Sequence, residues 1–146
     1  MQISSPVFDN NTSIPVKYTC DGQDINPPLI ISGILENAES LVLIMDDPDS
    51  PSGNFLHWIV WNIPPLITQI LENSKVEGAV EGKNDFGKIG YGGPCPHQGE
   101  HHYHFRLFAI DQKLSLENGA TREDVEKALE GHIIESCELI GLYKRQ

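Results

Sequence analysis

Short apolar segments bounded by turn-forming residues recur along the chain, and this pattern constrains the fold more than any other feature of the sequence. Three of these segments are rich in β-branched or aromatic residues: SLVLIM (40–45), HWIVWNI (57–63) and YHFRLFAI (103–110). Apolar runs of this length, separated by Gly, Pro and Asn, are typical of buried strands. The sequence therefore predicts a mainly β fold.

One segment near the C-terminus has helical spacing instead. Within TREDVEKALEGHII (121–134), one face carries Val125, Ala128, Leu129, His132 and Ile133. Thr121 stands in an N-cap position and acidic residues follow it, so we expect an amphipathic helix with His132 as a structural residue on its apolar stripe. The next segment, CELIGLY (137–143), alternates and predicts a final strand, although a continued helix stays open.

Length, charge and cysteine content bound the function. The chain has 146 residues and a formal net charge of −11, which predict a single domain over residues 1–146 and disfavour binding to nucleic acid or to an acidic membrane. The N-terminus lacks a signal-peptide pattern and no apolar run approaches the roughly 20 residues of a membrane span, so we expect a cytoplasmic protein without membrane insertion. Three cysteines disfavour a secreted disulfide scaffold, but the possibility of one disulfide between the loops of Cys20 and Cys95 stays open.

The first cluster of chemically active side chains is DDPDSPSGNFLHW (46–58). Asp47 closes one predicted strand and His57 opens the next, so in a hairpin the two side chains should lie within hydrogen-bond reach or one water of each other. A carboxylate beside an imidazole favours the imidazolium and fixes its tautomer, which suits acid–base chemistry or an anion-binding histidine. A plain polar loop stiffened by Pro48 and Pro51 is the alternative.

The second cluster is GYGGPCPHQGEHHYHF (90–105). Side chains alternate between the two faces of a strand, so four residues lie on one face: His101, Tyr103, Phe105 and Leu107. This row changes from polar at the loop end to apolar further along the strand. We expect His101 and Tyr103 to line a pocket at the sheet edge. Gly92 and Gly93 would let backbone N–H groups approach a ligand closely, so the cluster predicts donors that converge on an anion.

The histidines also suggest a metal site, because His102 and His104 share the other face of this strand. Cys95 and His97 supply neither of the usual zinc spacings, CxxC or HExxH, so we expect no bound metal and no cofactor. Cys95 as a catalytic nucleophile is disfavoured too, since its flanking prolines are typical of a rigid turn.

The motifs DPDSP (47–51), HW (57–58), GPCP (93–96) and HHYHF (101–105) together resemble the phosphatidylethanolamine-binding protein family, in its prokaryotic Raf-kinase-inhibitor-like branch. The resemblance continues through three longer stretches: YTCDGQDINPPL (18–29), NDFGKIGYGGPCP (84–96) and EGHIIESCELIGLYKR (130–145). It implies a large antiparallel sheet with a smaller sheet and one or two peripheral helices. It also implies an anion pocket at one sheet edge.

By position, the resemblance assigns seven pocket residues: Asp47, Pro51, His57, Gly93, Pro94, His101 and Tyr103. Gly92 joins them from the argument above on backbone N–H donors. Two departures from the family are expected. The C-terminal segment that helps to gate the pocket in eukaryotic members looks absent, and His97 replaces a more usual proline, which adds a titratable group near the rim.

The predicted function is that of a non-enzymatic binding protein for a small anion, either a phosphate monoester or a phospholipid head group. A role in regulation through a protein kinase or phosphoprotein partner, and a homodimer, stay open. The alternative is a phosphoester or ester hydrolase with Asp47 and His57 as an acid–base pair. A third hypothesis is a module that binds phosphorylated residues of other proteins through the same pocket.

Overall fold

The computed structural model describes residues 1–145, and most of the ordered elements in this range are strands. The strands are β1 Gln2–Ser4, β2 Thr12–Ser13, β3 Leu29–Ser32, β4 Ser40–Asp47, β5 Phe55–Ile63, β6 Gln69–Ile70, β7 Val80–Glu81, β8 Glu100–Ile110 and β9 Ile133–Lys144. A 3-10 helix covers Val16–Tyr18 and an α-helix, α1, covers Arg122–Leu129. The predicted mainly β class is confirmed, and the three apolar segments all lie in long strands.

The strands form two sheets. The larger has six strands in the order β2-β9-β8-β4-β5-β7, and the smaller has three in the order β1-β3-β6. Every pairing in both sheets is antiparallel except that of β2 with β9 at one edge. The expected large sheet with a smaller companion is therefore confirmed, with one parallel edge pair that the sequence did not predict.

Strand β4 is the centre of the molecule because both of its faces are covered. Leu41, Leu43 and Met45 pack toward the smaller sheet, together with Leu29 and Ile31 of β3. On the opposite face, Val42 and Ile44 of β4 pack against Val125 and Leu129 of α1. A strand that is buried on both faces is apolar at every position, which explains the unbroken SLVLIM run.

Helix α1 begins as predicted and ends early. The Thr121 side chain accepts a hydrogen bond from the Asp124 amide, and the Asp124 carboxylate accepts one from the Thr121 amide. The helix stops at Leu129, ahead of Gly131, whose φ of 77° is left-handed. The expected place of His132 on the helix stripe is therefore wrong: His132 follows the helix, is partly exposed and bonds to Asp111 at 2.8 Å.

The C-terminal CELIGLY segment is part of β9, so the strand alternative is confirmed. β9 pairs with β8 along almost its whole length, from Glu100 opposite Lys144 to Ile110 opposite Ile133. Within residues 1–145, no helix is long and apolar enough to cross a bilayer.

Candidate functional site

His57 enters the candidate site through a break in the β4–β5 ladder. The pairing register shifts there, from Met45 opposite Trp58 to Asp46 opposite Leu56, which leaves His57 as the extra residue of a β-bulge. Trp58 packs toward the smaller sheet, and His57 lines a cavity on that same side. A bulge re-aims side chains in this way, so simple alternation does not hold across these two residues.

Strand β8 supplies the opposite wall. The predicted row of His101, Tyr103, Phe105 and Leu107 is buried, whereas the residues between them are exposed or half-buried. The polar end of this row faces the cavity and the apolar end continues into the core. This prediction is confirmed because alternation along an unbroken strand depends on local geometry alone.

The cavity has a volume of about 400 Å³. The predicted site residues that line it are Asp47, Pro51, His57, His101 and Tyr103. Gly92, Gly93 and Pro94, which were predicted as well, do not line it. The lining residues that the sequence did not single out for the site are Ser50, Ser52, Phe55, Asp85, Phe86, Cys95 and Pro96, and His97 contributes a further imidazole as expected at the rim.

Asp47 pairs with a different histidine from the one predicted. Its Oδ2 accepts a hydrogen bond from His101 Nδ1 at 2.6 Å, and its Oδ1 accepts one from the Asp49 amide at 2.9 Å. Within residues 1–145, Asp47 and His57 form no direct hydrogen bond, but both line the same cavity, and contact between them through one water stays a prediction. Strand β4 lies between β5 and β8, so Asp47 has a histidine-bearing neighbour on each side, and the one on β8 takes the carboxylate.

His57 is held by the backbone instead. Its Nδ1 lies 2.7 Å from the Gly92 carbonyl oxygen, and its ring is surrounded by the rings of Phe55, Phe86 and Tyr103. Burial lowers the pKa of His57, and the nearby Gly92 carbonyl and Asp47 carboxylate only partly counteract this effect. Asp47 does favour the imidazolium form of His57 as expected, but desolvation is larger than this attraction, so the net shift of the pKa is downward.

Tyr103 lies between the two histidines. Its ring makes an edge contact with His57 at a centroid distance of 5.2 Å and stacks on His101 at 6.4 Å. Within residues 1–145 the buried Tyr103 hydroxyl has no hydrogen-bond partner. Burial and then the Asp47 charge raise the pKa of this hydroxyl, so it stays protonated. The nearby Cys95 backbone acts in the opposite direction without a hydrogen bond to the hydroxyl.

The glycine amides do not serve as ligand donors. Gly92 N–H donates to the His57 carbonyl at 2.9 Å, and Gly93 N–H donates to Asp24 Oδ1 at 2.7 Å. A Cβ atom on Gly92 would clash with the Phe86 ring, and one on Gly93 would clash with the Tyr18 carbonyl. The two glycines are needed for close packing, which corrects the predicted role.

A disulfide bond joins Cys20 to Cys95, with Cα atoms 5.4 Å apart. The bond is the disulfide that the sequence analysis left open. Cys137 is a free cysteine. Cys95 lines the cavity, so the bond ties the cavity wall to the loop after the 3-10 helix. The bridge also removes the thiol that a nucleophilic Cys95 would need.

The histidines on the outer face of β8 each bond to a carboxylate. His102 Nδ1 lies 2.6 Å from Asp49 Oδ2, and His104 Nδ1 lies 3.1 Å from Glu138 Oε2. Across residues 1–145, no group of three or more His, Cys, Asp or Glu side chains is arranged to hold a metal ion. The lack of a bound metal stays a prediction.

Comparison with known proteins identifies the family. The family model of the phosphatidylethanolamine-binding proteins matches residues 4–144. A UPF0098 protein from Pyrococcus abyssi is 57% identical, over 97% of this chain and 84% of its own length. A crystal structure of a phosphatidylethanolamine-binding protein homologue from Chlamydia trachomatis superposes with a TM-score of 0.95 at 42% identity, over 99% of this chain and 97% of that one. YbcL from Escherichia coli superposes with a TM-score of 0.92 at 28% identity, over 99% and 98% of the two chains. The chain therefore belongs to the phosphatidylethanolamine-binding protein family.

Proposed function

We propose that the cavity binds a small phosphate-bearing ligand, a phosphate monoester or a phospholipid head group, and that the chain acts through this binding rather than through catalysis. The observation that carries the proposal is the unpartnered Tyr103 hydroxyl. A buried hydroxyl without a partner is costly, and a ligand oxygen in the cavity would satisfy it.

The size and lining of the cavity support a small ligand. A volume of about 400 Å³ lies at the lower end of the usual range for small-molecule sites. Phe55, Phe86 and Tyr103 supply an apolar wall, while His57 and His101 supply imidazoles. Among residues 1–145, no Lys or Arg lines the cavity, so an anion would be held by hydrogen bonds from neutral donors such as the Tyr103 hydroxyl.

The Asp47–His101 pair removes an obstacle to anion binding. An unpaired Asp47 carboxylate would repel a phosphate group, but its bond to His101 Nδ1 offsets that charge when the ring is protonated. His101 Nε2 also faces an oxygen acceptor, the Gln98 carbonyl at 3.1 Å. Both ring nitrogens of His101 thus face oxygen acceptors of the protein.

The test removes the Tyr103 hydroxyl and keeps its ring. Tyr103→Phe should weaken binding of O-phosphorylethanolamine, measured by titration calorimetry, because a hydrogen bond to a charged group contributes about 1.5–3 kcal/mol, or about tenfold or more in affinity. Tyr143→Phe is the matched control: its hydroxyl bonds to Asp21 at 2.6 Å, outside the cavity, so the affinity should not change.

Equal affinities of the wild type and Tyr103→Phe would contradict the proposal, as would a lack of binding by the wild type. The hydrolase alternative gains no support from the geometry, because the Asp47–His57 acid–base pair on which it depends is not formed.

A further inference from the structure

We propose that the cavity prefers oxyanions that still carry an acidic hydrogen, such as the monoanion of a phosphate monoester, over those that carry none, and that His57 Nε2 is the group that selects them. This inference rests on the proposed anion binding and narrows its ligand class. It favours phosphate monoesters over phosphodiesters, sulfates and sulfonates.

The first step is the tautomer of His57. Its Nδ1 faces the Gly92 carbonyl oxygen at 2.7 Å, and a carbonyl oxygen can only accept a hydrogen bond. Nδ1 therefore carries the hydrogen. In the neutral ring this leaves Nε2 as an acceptor with a free lone pair.

The second step is the position of that lone pair. Nδ1 is the only His57 ring nitrogen that bonds to another of residues 1–145, and the side chain lines the cavity. Nε2 is thus left for a ligand. A ligand hydroxyl can donate to Nε2, whereas a bare anionic oxygen would set one lone pair against another.

The third step concerns the charge of the ring. The His57 side chain is 3% exposed and packs against Phe55 and Phe86, which favours the neutral form. Its lowered pKa agrees with this packing. The titratable groups around it come from four other parts of the chain: Asp24, Asp47, Asp85, His97, His101 and Tyr103.

The other polar groups of the cavity complete the pattern. The Tyr103 hydroxyl is a donor without a partner among residues 1–145, whereas both ring nitrogens of His101 already bond to Asp47 and to the Gln98 carbonyl. A ligand with anionic oxygens and one P–OH group matches the Tyr103 donor and the His57 Nε2 acceptor together. A ligand without the hydrogen leaves His57 Nε2 unpaired, and unpaired polar groups in buried sites give strong discrimination.

The test uses two monoanions of similar shape. At pH 6.8 methylphosphonate is mainly a monoanion that carries one hydrogen, whereas methanesulfonate has the same charge and none. Titration calorimetry should show methylphosphonate binding about tenfold more tightly. When the pH falls below the lowered pKa of His57, protonation converts Nε2 into a donor, so methanesulfonate should gain affinity and the difference between the two probes should narrow.

The outcomes separate this inference from the function on which it rests. Equal or tighter binding of methanesulfonate at pH 6.8 would overturn the selection by His57 and leave anion binding intact. No binding of either probe would overturn anion binding itself. A second comparison tests the ester class: below the second phosphate pKa of about 6, where the monoester carries one acidic hydrogen, O-phosphorylethanolamine should bind more tightly than the diester glycerophosphoethanolamine.

A variant assigns the selection to one side chain. His57→Phe keeps an aromatic ring against Phe55 and Phe86 but removes the acceptor, so the ratio of the two affinities should fall toward one. His132→Phe is the control, because His132 bonds to Asp111 outside the cavity and should leave the ratio unchanged. If His57→Phe does not fold, the relative affinities of the wild type for methylphosphonate and methanesulfonate still test the proposed selectivity.

Discussion

At the scale of single residues, two carboxylate–imidazole pairs allow the effect of burial on the stabilising free energy of such a pair to be compared. His101 with Asp47 and His102 with Asp49 have the same N···O distance of 2.6 Å. The side chains of the first pair are 9% and 5% exposed, whereas those of the second are 50% and 42% exposed. Neighbouring positions in both segments therefore provide a matched comparison within one protein.

Asp47→Ala should destabilise the fold more than Asp49→Ala. Removing Asp47 leaves a buried imidazole nitrogen without its partner, a change that typically costs about 1–3 kcal/mol of the free energy of unfolding. The exposed pair is screened by water, so its loss should cost less than about 1 kcal/mol. Urea unfolding of both variants at pH 6 measures the difference. Similar losses of unfolding free energy in the two variants would show that burial does not decide how much such a pair stabilises the fold.

At the scale of elements, the loop before β8 is shaped by contacts with distant parts of the chain. The Cys20–Cys95 disulfide, the Gly93–Asp24 hydrogen bond and the Gly92–His57 hydrogen bond all hold it. This loop has few regular backbone pairings of its own, so these cross-links fix one wall of the cavity.

Removal of the disulfide should destabilise the protein and weaken ligand binding. The bond closes a loop over a sequence separation of 75, for which the chain-entropy relation gives about 4.5 kcal/mol. A Cys20→Ser/Cys95→Ser double variant should lose stability of this order in urea unfolding and bind O-phosphorylethanolamine less tightly. Reductant should lower the stability of the wild type and leave the double variant unchanged. A wild type that is insensitive to reductant would contradict the prediction.

At the scale of the whole molecule, the net charge of −11 acts against an anionic ligand on its approach. The hydrogen bonds of the cavity act only at contact, whereas the repulsion reaches about 30 Å at 0.01 M salt and about 10 Å at 0.1 M. Ligand association should therefore speed up as salt rises over this range, which is the opposite of the behaviour of a basic protein that binds an anion.

Stopped-flow measurement of the association rate constant with O-phosphorylethanolamine checks this prediction, with a neutral viscosity agent as the control for non-ionic effects. The experiment uses a salt whose anion is large and weakly coordinating, so that competition for the cavity stays small. A rate constant that falls with salt would indicate a local positive potential that dominates the net charge.

The sequence by itself determined the features that depend on short stretches of chain. Alternation predicted the buried row from His101 to Leu107, and the Thr121 capping pattern predicted the start of α1. The apolar runs predicted β4, β5 and β8. These features follow from local periodicity and backbone hydrogen bonding, which neighbouring residues encode directly. The motifs also indicated the family, and with it the pairing of a larger and a smaller sheet.

Only the tertiary structure decided which of these elements meet. Asp47 bonds to His101, 54 residues away, because β8 lies beside β4 on the side opposite β5. The bulge that turns His57 into the cavity arises from the pairing of two strands, and the Gly92 and Gly93 amides are already used by His57 and Asp24. Period-two patterns state which face of a strand is buried, but they contain no information about which strand lies next to it. The order of strands in the sheet depends on how the whole sheet is buried. This order determined the partner of each histidine, and the resulting burial favours the neutral form of His57.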